Sequence, residues 1–496
     1  MTKEECILWL GPHRPGLPAS FKVVDQTSIL AEMDVSSYRA LCLLDQAFLP
    51  FLEEKKDQLQ PYQLLVEKGI SLGRDLDLRL QPFYLDFKQE NHLLEKLPAY
   101  FYPGQYGDKF FNQELLLAPD LEAEAVILGQ SWTQVKLRPS KTDRRLLSWT
   151  RSLYLDPHRP LSLKVDYKKE GEVELTLQVL ASNQLGEPVW AQEILEEDFA
   201  GFELAADQGL FVSFSLFYKG EGGLELGPLH QRFSRGPFGQ LLPGGQDQAG
   251  LLFYFHPGNL TPPFNVYFAG YRPAEGFEGY HMMKDLGQPF LLIADTRSEG
   301  GAFYLGDDHI QEIVINKIQT CLDQLGFADQ DLILSGLSMG SFGALFYGQK
   351  LAPFAVLAGK PLIHLGDMAQ NLQRLRPHEF GTSLDLLLEQ LGKAGQEAVE
   401  ALNLVFWQDF DPALWSGRTL ALAYMLQDDY DPKAYAALEM ALAGHAVRFL
   451  SFSRPGRHND QSQAITDWFI HIYKEIIQER KELHDANDRD PLGTSQ

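Results

Sequence analysis

Apolar and polar positions follow three regimes along this chain. Up to about residue 140, short apolar runs alternate with mixed stretches. Ile7–Leu10, Ala40–Leu44 and Ala125–Leu128 read as short buried strands, and Asp45–Lys68 reads as helical. Continuous apolar runs of this length suit strands covered on both faces, so residues 1–140 predict a small α/β domain. From 141 to 235 the period becomes two. Val173, Leu175, Leu177 and Val179 alternate with Glu174, Thr176 and Gln178, and Leu210, Val212, Phe214 and Leu216 repeat the pattern. Alternation with turn signals between the runs predicts a β-sandwich, with Gly220-Glu-Gly-Gly223 as one of the turns. Residues 236–250, rich in Gly, Pro and Gln, read as a linker. From Leu251 to about 479, strand and helix patterns alternate, which predicts a mostly parallel sheet covered by helices. Asn371–Asn403 and the segment to Trp415 read as a helical insertion, a usual place for a lid or substrate wall. The charged stretch 480–496 reads as a disordered tail.

Composition narrows the functions open to such a chain. It has 496 residues, 45% hydrophobic, with a formal net charge of -24. The mean hydropathy of -0.21 is that of a soluble globular protein. An acidic chain without a basic stripe is unsuited to nucleic acid and to anionic lipid. Acids precede the short apolar run Ile7–Leu10 at the start, unlike a secretory signal. No apolar stretch approaches the ~20 residues that span a bilayer. Cys6, Cys42 and Cys321 are scattered and odd in number, which fits a reducing cytoplasm and no paired metal ligands. No phosphate loop or dinucleotide fingerprint is present, so no bound cofactor is expected. Trp149, Tyr154, Trp190 and Tyr218 offer faces on which a sugar stacks, although aromatics in such strands are more often core.

The candidate chemistry lies in Gly336-Leu-Ser-Met-Gly340. The apolar run Asp331–Ser335 precedes it, and a small-residue helix start follows at Ser341. G-x-S-x-G between strand and helix is the form of a nucleophile elbow, in which glycines relieve crowding and leave the serine hydroxyl exposed. Amides at the start of the following helix, Met339 first, face the position of an oxyanion. Hydrolases with this elbow place an acid and then a histidine later in the chain. Strand-like Arg418–Leu426 ends in Gln427-Asp428-Asp429-Tyr430-Asp431-Pro432, and strand-like Ala446–Ser453 ends in Pro455-Gly456-Arg-His458. Carboxyl ends of parallel strands are where such groups gather. His458 is the candidate base. Asp428, Asp429 and Asp431 compete for the acid: Asp428 is favoured as nearest the strand end, and Asp431 before Pro432 reads as a helix cap. A second oxyanion amide is expected at Gly270 or Tyr271, after the strand Phe264–Gly270. Gly129-Gln-Ser-Trp132 lacks the second glycine and is not read as a serine site.

Several stretches together carry a resemblance. They are Leu224-Glu-Leu-Gly-Pro-Leu-His-Gln-Arg-Phe-Ser-Arg235, Tyr267-Phe-Ala-Gly270, Gly336-Leu-Ser-Met-Gly-Ser-Phe-Gly343, Tyr424-Met-Leu-Gln-Asp-Asp-Tyr-Asp431 and Gly456-Arg-His-Asn-Asp460. With the three-part layout, the chain resembles the second accessory secretory proteins of the accessory Sec system, which exports serine-rich-repeat adhesins. The resemblance implies an α/β-hydrolase-like carboxyl-terminal domain and a Ser338–Asp428–His458 triad. It also implies cytoplasmic O-acetylation of N-acetylglucosamine on the adhesin, and work alongside the first and third accessory secretory proteins and the accessory Sec motor ATPase. The sequence carries no coenzyme A signature, so the acetyl donor is left open. A carbohydrate esterase, or an export adaptor that uses the hydrolase fold as a scaffold, are the competing expectations. A further expectation is division of labour: residues 1–235 for docking and glycan presentation, with a carboxyl-terminal domain that keeps small-ester activity when isolated.

Overall fold

Three hydrogen-bonded sheets follow one another in the computed structural model, which describes residues 6–26, 33–121, 125–129, 131–298, 300–375 and 383–489. The first contains β1 (Ile7–Leu10), β2 (Phe21–Val24) and β3 (Ala40–Leu43), then α1 (Leu49–Lys55), β4 (Leu64–Glu67), α2 (Arg74–Leu80), β5 (Phe83–Leu85) and the short α3 (Leu97–Tyr100). Its strands pair in parallel in the order β2-β1-β3-β4-β5, with apolar clusters on both faces. The helix expected over Asp45–Lys68 is confined to α1 and short flanking turns. Pro61 cannot continue a helix, and Leu64-Leu65-Val66 fills a central strand position instead.

The middle sheet is an antiparallel sheet of nine hydrogen-bonded strands around one apolar core. It comprises β6 (Gly107–Phe110), β7 (Leu115–Leu117), β8 (Ala125–Leu128), β9 (Trp132–Trp149), β10 (Leu153–Leu155), β11 (Leu161–Ser182), β12 (Pro188–Leu195), β13 (Phe202–Leu204) and β14 (Leu210–Phe233). β9 runs across residue 140, and the sheet draws strands from Gly107 onward, earlier than the change of period indicates. β11 and β14 pair over almost their whole length and share one core. Gly220 and Gly222 therefore lie inside a strand and form no turn. Both have positive φ, and a Cβ on either would lie 1.9 Å from a carbonyl oxygen of β11. Register shifts beside them absorb the bend, as bulges do. Val126 and Ile127 in β8 are exposed, not buried as expected. Trp149 and Tyr218 are core residues, and Tyr154 is exposed against Phe211.

The third sheet comprises β15 (Gln246–Gln248), β16 (Leu251–His256), β17 (Phe264–Phe268), α4 (Tyr280–Leu286), β18 (Phe290–Asp295), α5 (Asp308–Leu325), β19 (Leu332–Leu337), α6 (Met339–Leu351), β20 (Ala355–Gly359), α7 (Leu365–Leu375), α8 (Ser383–Leu391), α9 (Gln396–Leu404), β21 (Thr419–Met425), α10 (Ala434–Ala441), β22 (Arg448–Arg454) and α11 (Ser462–Arg489). The strand order is β15-β16-β18-β17-β19-β20-β21-β22. β16 is antiparallel to both neighbours, and every later pairing is parallel. Strands β16 to β21 are buried almost throughout because helices cover both faces. Val314 and Ile318 of α5 and Leu345 of α6 pack on one side, and Met283 of α4 with Phe469 and Tyr473 of α11 on the other. The expected linker contains β15 and is part of this sheet. The expected disordered tail is helical as far as Arg489; residues 490–496 lie outside the described residues.

Polar contacts tie the parts together. The buried Arg235 guanidinium donates to the carbonyls of Tyr102 at 2.7 Å and of Tyr100 and Leu241 at 3.0 Å. Buried Lys109 of β6 donates to the carbonyls of Thr296 and Ser298. The loop after β17 inserts Glu275 between His230 and Arg232 of β14. Gln105 holds the same loop by pairing with the amide and carbonyl of Phe277, both at 2.8 Å.

Candidate active site

Ser338 stands at the turn from β19 into α6 with φ 52° and ψ -119°. A non-glycine residue there is strained, and the flanks explain why the turn exists. A Cβ on Gly336 would lie 2.1 Å from the Gly340 carbonyl oxygen, and one on Gly340 would lie 2.0 Å from that of Phe268. Only glycine allows α6 to start this close to β17 and β19. The Ser338 amide donates to the Gly359 carbonyl at 2.8 Å, and the Ser341 hydroxyl closes onto the Ser338 carbonyl at 2.5 Å. Met339 follows as the first residue of α6, where helical amides have no intrahelical acceptor.

The structure brings Ser338, His458 and Asp428 together from the ends of β19, β22 and β21. His458 Nε2 lies 2.8 Å from Ser338 Oγ, and its Nδ1 lies 2.9 and 3.1 Å from the two Asp428 oxygens. A carboxylate at Nδ1 holds the proton there, so Nε2 accepts from the serine. The imidazole is buried, and it stacks on Tyr430 with centroids 4.1 Å apart and planes 2° from parallel. Burial pushes the Asp428 carboxyl up. The hydrogen bonds from His458 and from the amides of Tyr430 and Asp431 outweigh that and leave it below the usual carboxylate range.

The other two acids of the loop have separate partners. Asp429 accepts from the His458 amide at 3.0 Å. Asp431 accepts from the amides of Ile363 and His364 at 2.8 and 2.7 Å, and from the His364 ring. The sequence suggested a helix cap at Asp431, and its carboxylate does accept from the Lys433 amide at 3.3 Å, but the N-cap of α10 is Lys433. α10 begins only at Ala434, and the Asp431 carboxylate ties the loop after β20 to that after β21.

The expected second oxyanion amide is differently engaged. Gly270 lies in the loop after β17, but its N–H donates to Glu278 Oε2 at 2.5 Å. In this structure that amide is occupied by a carboxylate and is not open to a ligand. Burial pushes the Glu278 carboxyl up, opposed by this bond and by Arg272. Glu278 and Lys360 are site residues that the sequence reading missed. Lys360 follows β20, and its place at a strand end was a readable signal; Glu278 lies in an irregular loop and gave none. Lys360 donates to the Ser462 hydroxyl at 2.7 Å, and burial lowers its pKa.

These groups line a cavity of about 580 Å³, within the range of small-ligand sites. Ser338, Glu278, Lys360, His458 and Asn459 supply its polar wall, and Phe303, Met339, Leu362, Met368 and Ile465 its apolar wall. Ser131, in the motif set aside above, is buried, and its amide and hydroxyl bond Asp385 of α8 at 3.0 and 2.9 Å. Gln130 of that motif lies outside the described residues. Among the described residues, no helix is long and apolar enough to cross a membrane.

Strand order and the elbow define an α/β-hydrolase-type fold, with Ser338, His458 and Asp428 joined by hydrogen bonds at its carboxyl edge. Residues 22–482 match the family model described as accessory Sec system GspB-transporter. The chain is 38% identical over 452 residues to the accessory Sec system protein Asp-2 of Staphylococcus aureus (strain NCTC 8325 / PS 47), covering 87% of this chain and 86% of the relative. It is 32% identical over 459 residues to that of Streptococcus gordonii, covering 90% and 89%. The chain belongs to this accessory Sec system family. Among solved structures it is similar to a chain of the glycosylation-associated protein (Gap123) complex of Streptococcus agalactiae, with TM-score 0.88 and 29% identity, over 94% of this chain and 96% of that one.

Proposed function

We propose that the protein is a serine-dependent acyltransferase of the accessory Sec system, which O-acetylates N-acetylglucosamine on a serine-rich-repeat adhesin and takes part in its export. The observation that carries this reading is the hydrogen-bonded Ser338–His458–Asp428 chain, whose serine and histidine line the cavity. The chemistry is assigned to 251–479. Ser338 Oγ attacks the acyl carbonyl carbon while His458 Nε2 takes its proton. The tetrahedral intermediate collapses, the leaving group receives that proton, and an acyl ester remains on Ser338. A sugar hydroxyl then gives its proton to His458 and attacks the ester, and Ser338 leaves with the proton restored. Asp428 keeps Nδ1 protonated and balances the imidazolium charge. The acetyl donor is a group the cavity must admit, and no residue is assigned to it.

The structural likeness to a chain of a Gap123 complex supports an assembly with the first and third accessory secretory proteins. The motor ATPase and the adhesin enter through the family's place in export. The cytoplasm is the proposed compartment. Mass spectrometry of the exported adhesin's glycans tests the reading: acetyl groups present with the wild type and absent with Ser338→Ala support it, and unchanged acetylation overturns it. One observation favours a second reading, an export adaptor on a hydrolase scaffold: the Glu278 carboxylate sits on the amide a transition state would need.

A further inference from the structure

Gly270 is positioned to complete an oxyanion hole. β17 pairs in parallel with β19, Phe268 opposite Gly336, so the two chains emerge side by side, one into Gly270 and the other into Ser338. Both residues and Met339 line the same cavity. The Ala269 amide is consumed by the sheet through the Ile293 carbonyl. Gly270 thus offers the first amide beyond it, and Glu278 takes it.

A carboxylate is a stronger acceptor for an amide than a neutral ester carbonyl is. It also places negative charge where negative charge must develop. With Glu278 in place the site binds a transition state through fewer donors and against repulsion. We propose that Glu278 is a gate on the oxyanion hole, and that it opens when an acceptor bearing hydroxyl or amide donors offers the carboxylate new partners and releases the Gly270 amide. This rests on the acyltransferase reading above. It supplies what the triad alone lacks, a reason for the acyl group to pass to a sugar and not to water. Without an acceptor the hole is closed, and the acyl donor is spared.

The gate is held from outside the hydrolase sheet. Glu278 follows Phe277, whose amide and carbonyl are both bonded by Gln105. Glu275 of the same loop is fixed on His230 and Arg232, and its amide donates to the Gly107 carbonyl at 3.0 Å. Glu278 also borders a second cavity, lined by Gln105, Leu242 and Arg272, into which its side chain has room to turn.

The test is hydrolysis of an activated acetyl ester by the full-length protein, without acceptor, in wild type, Glu278→Ala and Glu278→Leu. Labelling of Ser338 by a fluorophosphonate is measured in parallel. Removing the acceptor from Gly270 is expected to raise hydrolysis about 10-fold or more, against the ~10²–10³-fold that one oxyanion donor supplies. Glu278→Gln keeps an acceptor on the amide and should gain less. The Leu variant fills the Glu278 site with an apolar side chain and serves if Ala fails to fold. Variants labelled at Ser338 yet no faster than wild type would overturn the gate and leave the acyltransferase reading standing. If neither wild type nor variants are labelled or active, that reading falls and the gate with it.

Discussion

Ser338 is held at a φ that only the surrounding glycines permit, so the elbow makes separable predictions for its residues. Ser338→Ala removes a half-buried hydroxyl and no core packing, and should lower acyl transfer by about 10⁶-fold with a nearly unchanged melting temperature. His458→Ala should match it, and the double mutant should be no worse than either single one, because the residues share each proton transfer. Multiplying losses in steady-state rates would contradict a shared step. Asp428→Asn presents an amide to Nδ1 and favours the wrong tautomer, at a cost of about 10⁴-fold. Asp429→Asn keeps an oxygen for the His458 amide and should be mild. The reverse ranking would move the acid by one residue.

Glu275 and its partners carry the main predictions at the scale of elements. His230 is buried with a carboxylate on each nitrogen, Glu275 and Asp166. Burial alone would lower its pKa, but the two carboxylates outweigh that and raise it. A raised histidine pKa stabilises the fold below its unfolded value near ~6.5, and that contribution is lost as pH rises through the folded value. Melting temperature should therefore fall above about pH 6.5, and His230→Gln should flatten that dependence. A wild-type curve already flat between about pH 6 and 9 would contradict the assignment. Glu275→Gln leaves Arg232 and His230 under-compensated and should cost ~3–5 kcal/mol in urea unfolding.

The elements near the site were legible in the sequence because each is local. A continuous apolar run marks a strand buried on both faces, and the elbow glycines and the two strand-end loops mark where it stops. What could not be read depends on pairing at a distance. The glycines of β14 look like a turn until β11 lies beside them, and only then does their purpose, close approach of two carbonyl oxygens, exist. Val126 and Ile127 look buried by composition, yet β8 is an edge strand. The carboxylate on the candidate oxyanion amide was hidden for the same reason: Gly270 was visible, but nothing in Glu278 eight residues on announces that its carboxylate returns to that amide.

For the whole molecule, the parts are less independent than the sequence suggested. The isolated carboxyl-terminal domain was expected to keep small-ester activity. The loop after β17 is fixed by Gln105, Gly107, His230 and Arg232, all outside that domain, so a fragment from Leu251 loses the supports of Glu275 and Phe277. Such a fragment should show faster amide exchange across residues 270–279 than the full chain does. Equal protection in both would mean that the loop is held by the hydrolase sheet alone. The central claim, that Ser338 carries an acyl group in turnover, is tested most directly by peptide mapping after the full-length protein meets an activated acetyl ester. The account predicts acetyl on the peptide containing Ser338, and none there with Ser338→Ala. A folded wild-type protein that acquires no acetyl group at Ser338 would contradict it.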